Sequence, residues 1–250
     1  DVVRHLSDDS MQGRKRGSDE IKAAAELIEE TMRDIGLDGA MKDGGFRQAF
    51  INGLPADSPE AEKLSPDAPL EENIIGILRG EGPSASKVLV LGAHYDHIGV
   101  TKDGKVNNGA DDNASGVAVL LAAACRLAER REDSPLPISV VFVAFTSEEC
   151  GCFGSKFYVS HPPVPLEKTI GMINFDMVGR LRDNHLMVND VESWKGFGEL
   201  VEHANTGTDL QVDLDPAKVG PSDQRQFVNK GVRAVHFFTG FHDDYHKPTD

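Results

Sequence analysis

Basic residues are scarce in this chain. It carries 26 Lys and Arg against 41 Asp and Glu, a formal net charge of −15. A surface of that sign repels phosphate backbones and anionic headgroups, so no nucleic acid and no anionic membrane is expected as a partner. Long hydrophobic runs are missing as well: apolar stretches reach about eight residues, against the ~20 needed to span a bilayer, and no membrane insertion is expected. Three cysteines, an odd number, cannot build a disulfide framework. Cys125 lies in an alanine-rich run and reads as a small hydrophobe. Cys150 and Cys152 flank Gly151 with no second cysteine pair to complete a thiolate zinc site, and they read as structural thiols. Also missing are the His-Glu-x-x-His, Gly-x-Ser-x-Gly and P-loop patterns, which removes the support for gluzincin, serine-hydrolase and nucleotide-dependent chemistry. No internal repeat or low-complexity tract is visible.

The composition is otherwise that of a globular chain, 39% hydrophobic and 27% charged. Its 250 residues suit one α/β domain. Ile21, Ala25, Ile28, Met32 and Ile35 recur at helical spacing, which predicts a helix over 18–36 with Ser18 as N-cap and Gly36 as stop. Pro55, Pro59, Pro66 and Pro69 among acids and small residues mark a surface loop over 51–70. Strands are predicted at 73–78, 88–93, 138–145, 170–174, 185–188, 210–212 and 232–238. Helices are predicted at 115–130, 154–160, 194–204 and 222–229. The nearly continuous apolar run 138–145 is the mark of a strand covered on both faces. Strands alternating with helices predict a three-layer α/β/α fold around a mixed, largely parallel sheet. No linker divides the chain, so residues 1–250 are read as a single domain.

Five short segments carry the chemistry: His94-Tyr95-Asp96-His97, the Gly109–Gly116 turn with Asp111 and Asp112, Ser147-Glu148-Glu149, Asn174-Phe175-Asp176-Met177 and Asp244-Tyr245-His246. In open α/β sheets, sites gather where strands end at their carboxyl edge. His94, Glu148, Glu149 and Asp176 each follow a predicted strand, His246 lies in the loop after the last one, and Asp112 sits in the turn before a helix. One lone His or Asp at a strand end is most often a structural hydrogen bonder. Five from five segments suffice for two metal ions sharing a carboxylate, with one further acid left as a base. Three carboxylates and two imidazoles suit zinc, with cobalt or manganese as substitutes.

In this order the motifs resemble those of the zinc aminopeptidase family M28, over nearly the whole chain from about Leu6 to Asp250. The resemblance implies a zinc exopeptidase-like fold and two Zn²⁺ per chain. It implies that His94 and Asp176 hold one ion, Glu149 and His246 the other, and that Asp112 bridges both through a cis peptide to Asn113. Glu148 would be the general base, Asp96 would hydrogen-bond His94, and Tyr245 would stabilise the oxyanion. Arg180 and Asp223 are candidates for substrate binding, Asp223 as part of the Gly220-Pro221-Ser222-Asp223 loop. Gln224 stands where relatives often carry histidine.

Asp111 reads as a turn-shaping residue, and His97 and His242 as supporting groups near the ligands. The expected substrate is a peptide with a free N-terminus, and a secreted or periplasmic location follows from the resemblance. Carboxypeptidase and glutaminyl cyclase activities are alternatives on the same fold, and a receptor-like binding module is the alternative without catalysis. A further C-terminal helix is expected after Asp250. Side-chain preference and oligomeric state are not legible.

Overall fold

A computed structural model describes residues 2–66, 68–214 and 222–250. Among these, ten strands form one sheet: β1 (Asp38–Gly39), β2 (Arg47–Ile51), β3 (Leu54–Pro55), β4 (Leu70–Leu78), β5 (Val88–His94), β6 (Ser139–Phe145), β7 (Thr169–Phe175), β8 (His185–Asn189), β9 (Gln211–Asp213) and β10 (Ala234–Phe238). The helices are α1 (Val2–Leu6), α2 (Asp19–Asp34), α3 (Gly116–Asp133), α4 (Phe153–Ser160), α5 (Phe197–Ala204) and α6 (Gln224–Asn229). Sheet order is β3-β2-β4-β6-β5-β7-β10-β8-β9, with β1 beside β4. The four central strands β6, β5, β7 and β10 are mutually parallel, while β4 and β8 join them antiparallel. This is the expected three-layer α/β/α architecture with a mixed sheet.

Burial explains the layers. Every residue of β6 is buried, because helices cover both faces. On one face Val140, Phe142 and Ala144 pack with Ile28 and Met32 of α2 and with Val117, Leu120 and Leu121 of α3. On the other, Val141, Val143 and Phe145 pack with Tyr158 of α4 and Phe227 of α6. Burying each such side chain contributes about 1.5–3 kcal/mol. A third cluster joins Phe197 and Val201 of α5 to Val188 and Val235.

Several predicted boundaries hold in detail. Ser18 caps α2, its Oγ accepting from the Ile21 amide at 3.2 Å, and Gly36 stops it in the left-handed region at φ +87°. Differences gather at the N-terminal edge of the sheet. β4 begins three residues before the predicted strand because its two acids find partners: Glu71 is buried in a two-point pair with Arg16 at 2.9 and 2.8 Å, and Glu72 pairs with Arg47 at 2.8 Å. β3 and a 3₁₀ turn at Ala61–Lys63 lie inside the predicted loop. No helix among the described residues is long and apolar enough to cross a membrane. The predicted helix over 222–229 begins at Gln224, and Gly220 and Pro221 of the proposed pocket loop fall outside the described residues.

Candidate metal centre

The parallel strands β6, β5, β7 and β10 end side by side, and their carboxyl ends deliver the acids and imidazoles to one place. His94 is the last residue of β5, Glu148 and Glu149 follow β6, Asp176 follows β7, and His246 sits in the segment after β10. Asp112 comes from the turn before α3. It lies between the two imidazoles: Oδ1 is 3.3 Å from His94 Nε2 and Oδ2 is 3.1 Å from His246 Nε2. His94 Nε2 is also 3.3 Å from Asp176 Oδ1, and His246 Nε2 is 3.1 Å from Glu149 Oε2.

Two overlapping sets of possible metal ligands result, His94–Asp112–Asp176 and His97–Asp112–Glu149–His246, with Asp112 common to both. The donor chemistry fits divalent zinc-like ions in each. His246 Nε2 is buried and makes no directional hydrogen bond, although two carboxylate oxygens face it at 3.1 Å. A cation between these atoms accounts for that arrangement better than hydrogen bonding does.

The Asp112 turn is anchored by its neighbour. The Asp112–Asn113 peptide is cis, as the resemblance implied. Asn113 Nδ2 donates to the Phe175 carbonyl at 2.9 Å, and its Oδ1 accepts from the amides of Gly116 at 3.0 Å and Met177 at 3.1 Å. Asn113 thus joins the turn to the end of β7, where Asp176 sits. A Cβ at Gly116 would stand 2.3 Å from Asn113 Oδ1 and 2.4 Å from the Phe175 carbonyl oxygen, so only glycine fits there.

Asp96 differs from expectation. His94 Nδ1 lies 3.2 Å from the Asp96 backbone carbonyl, while the Asp96 carboxylate is 3.6 Å away, beyond hydrogen-bond range. That carboxylate instead accepts from the amides of Glu148 at 3.0 Å and Glu149 at 3.2 Å, fixing the acidic pair. The backbone carbonyl orients the imidazole as a carboxylate would. His97 is drawn into the centre, its Nδ1 2.8 Å from Glu149 Oε1.

Arg180 is committed elsewhere: it donates to Asp244 at 2.8 Å and the Thr249 carbonyl at 3.1 Å, and lies 3.5 Å from Asp250. Asp223 is wholly buried and does not line the cavity over the centre. That cavity, about 170 Å³, is walled by Glu148, Met177, His236, Phe238, Phe241 and Tyr245 together with the ligand set. Tyr245 stacks on His246 at 3.8 Å between ring centroids.

Electrostatics divides the acids. Burial opposes charge on Asp112, but the close approach of His246 and His94 outweighs it and holds the carboxyl far below the usual range. Glu149 is likewise lowered against burial, by His246 and His97. Burial raises Glu148 well above an ordinary glutamate; the charges of Asp176, Asp223 and Asp96 add to this and His94 opposes it. Burial also pushes Asp223 up to about 7. Two adjacent glutamates therefore have opposite proton affinities, the usual sign of divided acid–base labour.

The sequence reading missed three supports. Ser222 Oγ donates to Asp176 Oδ2 at 2.7 Å. Cys152 Sγ donates to Glu148 Oε1 at 3.3 Å. Arg14, fully buried, donates to the carbonyls of Tyr95 at 2.9 Å, Asn108 at 2.7 Å, Gly109 at 2.9 Å and Leu6. It ties together the two loops bearing His97 and Asp112. Nothing in the local pattern around Arg14 signals this, since three of its four partners are backbone carbonyls 81 to 95 positions away.

The chain belongs to peptidase family M28, whose model matches residues 73–250. It is 28% identical over 191 residues to aminopeptidase YwaD of Bacillus subtilis strain 168, covering 72% of this chain and 39% of that protein. It is 30% identical over 169 residues to leupeptin-inactivating enzyme 1 of Streptomyces exfoliatus, covering 67% and 36%. The chain thus spans well under half the length of these two relatives. In fold it is similar to BSAP, a zinc aminopeptidase from Bacillus subtilis (TM-score 0.73, 19% identity, 100% of this chain and 87% of that one). It is also similar to the glutaminyl cyclase of Porphyromonas gingivalis (TM-score 0.77, 20% identity, 99% and 87%). The fold alone therefore does not separate a peptidase from a cyclase.

Proposed function

We propose that the chain is a dinuclear zinc aminopeptidase that removes the N-terminal residue of a peptide. The observation that carries the reading is Asp112, one carboxylate with an oxygen directed at each of two ligand sets. His94 and Asp176 would hold one ion and Glu149 and His246 the other, with His97 beside Glu149. Zinc bound there would polarise the scissile carbonyl and lower the pKa of the attacking water. Glu148 takes the proton of that water and passes it to the departing amine, a role its raised proton affinity supports. The Tyr245 phenol, on the cavity wall, donates to the oxyanion. Arg180 enters as a brace of the 244–250 segment, and Asp223 as a buried acid behind Glu148. Residues 1–250 act as one catalytic unit, and a secreted or periplasmic site of action follows the family resemblance.

An aminopeptidase is favoured because one of the two sequence relatives described above is named an aminopeptidase. Acids at the edge of the centre suit a free α-amine, whereas a carboxypeptidase needs a cation there and Arg180 is already paired. The test is hydrolysis of a panel of aminoacyl amides with and without N-acetylation. Acetylation should abolish turnover. Equal turnover of blocked substrates would favour carboxypeptidase or endopeptidase action, and cyclisation of N-terminal glutamine without peptide cleavage would favour the cyclase.

A further inference from the structure

We propose that Cys152 is a positioning residue for the general base, its thiol holding the Glu148 carboxylate in the orientation that proton transfer requires. The proposal rests on the base role given to Glu148 above and extends it to a residue outside the ligand set.

The geometry is local and over-determined. After β6 the chain turns tightly on the Glu148 carbonyl, which accepts from the amides of both Gly151 at 2.7 Å and Cys152 at 2.8 Å. Gly151 makes the turn at φ +109°, and Cys152 follows at φ +57° and ψ +42°. The left-handed region is strained for a side-chain-bearing residue and open to glycine at almost no cost. The side chain kept there is not spent on the core clusters around α4. Its Sγ reaches back to Glu148 Oε1 at 3.3 Å, the one hydrogen bond to that carboxylate among the described residues. Cys152 is also 94% buried, with a relative exposure of 6%, so water does not compete freely for the contact.

A carboxylate with no other side-chain partner, facing Asp112 and Asp176 across the cavity, has rotamers that turn it away from like charge. A neutral donor counters this without neutralising the base. A lysine in its place would pair with Glu148 and suppress its basicity. The thiol is a weak donor, so it orients one oxygen and leaves the other free for the proton of the water.

Two measurements test this. In zinc-loaded protein, Cys152→Ala should lower kcat about five- to twentyfold, with KM within twofold and two zinc ions retained. Cys152→Ser, which restores a donor, should recover kcat to within about threefold of the parent. Unchanged kcat in Cys152→Ala overturns the proposal, as does loss of zinc or of thermal stability that Cys152→Ser does not reverse. The second measurement needs no substrate. In a chain carrying Cys125→Ser and Cys150→Ser, the Raman S–H stretch of Cys152 should rise in frequency when Glu148→Ala removes the acceptor; an unmoved band overturns the proposal. Failure of the base assignment itself looks different: Glu148→Gln would retain turnover while the Raman shift persisted.

Discussion

The Arg14 guanidinium donates to the Gly109 carbonyl at 2.9 Å, joining a residue before α2 to the turn that carries Asp112. Its other donors end on carbonyls of Leu6, Tyr95 and Asn108. Burial pulls its pKa down to about 10, with Asp96, Asp112, Asp250 and Glu149 opposing, so it stays charged at neutral pH. One buried cation therefore offsets part of the acidity of the centre and satisfies four carbonyls. Arg14→Met, of similar length, should cost about 3–5 kcal/mol, the range for leaving buried polar partners uncompensated. Urea unfolding of the zinc-free protein measures it, and a loss under 1 kcal/mol would show that the carbonyls find other donors.

Gly116 tests the anchoring of the bridging turn. Gly116→Ala places a methyl against Asn113 Oδ1 and the Phe175 carbonyl, and such overpacking costs about 1–3 kcal/mol. The displaced group is the one that joins the Asp112 turn to Asp176. Zinc affinity should consequently fall at least tenfold while far-ultraviolet circular dichroism stays unchanged. Normal zinc affinity would mean that Asn113 does not govern the position of Asp112.

Zinc affinity should also depend on pH in a defined direction. The carboxylates of Asp112 and Glu149 raise His246 to about 10 against burial. Burial works to lower His94, but Asp176, Asp112 and Asp96 outweigh it and raise it well above 6.5. Both imidazoles therefore hold protons in the metal-free protein at neutral pH, and zinc must displace them. Displacement is easier as protons become scarce, so affinity rises with pH, by up to about tenfold per unit for each proton released, and the His246 contribution flattens near pH 10. Chelator competition from about pH 6 to 8, with proton release counted in weakly buffered solution, measures the slope. An affinity independent of pH would contradict these proton affinities.

Adjacent glutamates should separate binding from chemistry. Glu148→Gln keeps size and hydrogen bonding, so zinc content and KM should stay close to the parent while kcat falls by ~10²–10⁴, the usual worth of a general base. Glu149→Gln should weaken one metal site and recover activity partly with added zinc. Near-normal turnover in Glu148→Gln, or loss of metal from it, would reverse the two roles.

The central fold and the five ligand-type segments were legible because the physics there is local. β6 is an apolar run long enough to be read as a covered strand, β5 and β7 were read as its fellow strands, and a chemically distinctive residue stands at the end of each or within three residues after it. β2, Arg47–Ile51, was not legible: it alternates half-buried and buried residues, and its Arg47 is held by Glu29 and Glu72 across other elements. Which atom of Asp96 faces His94, the carbonyl at 3.2 Å or the carboxylate at 3.6 Å, depends on the turn after β5, which spacing does not encode. The reach of Arg14 and of Cys152 likewise depends on backbone placed by distant contacts or by a left-handed turn.

The central claim is that two ions share Asp112. Zinc content by atomic emission, after equilibration with buffered zinc and removal of the excess, should give two ions per chain for the parent. His94→Ala and His246→Ala should each lower it to about one, and Asp112→Ala should lower it toward zero with the fold retained. An Asp112→Ala chain that still binds two zinc ions would contradict the shared carboxylate and with it the dinuclear mechanism.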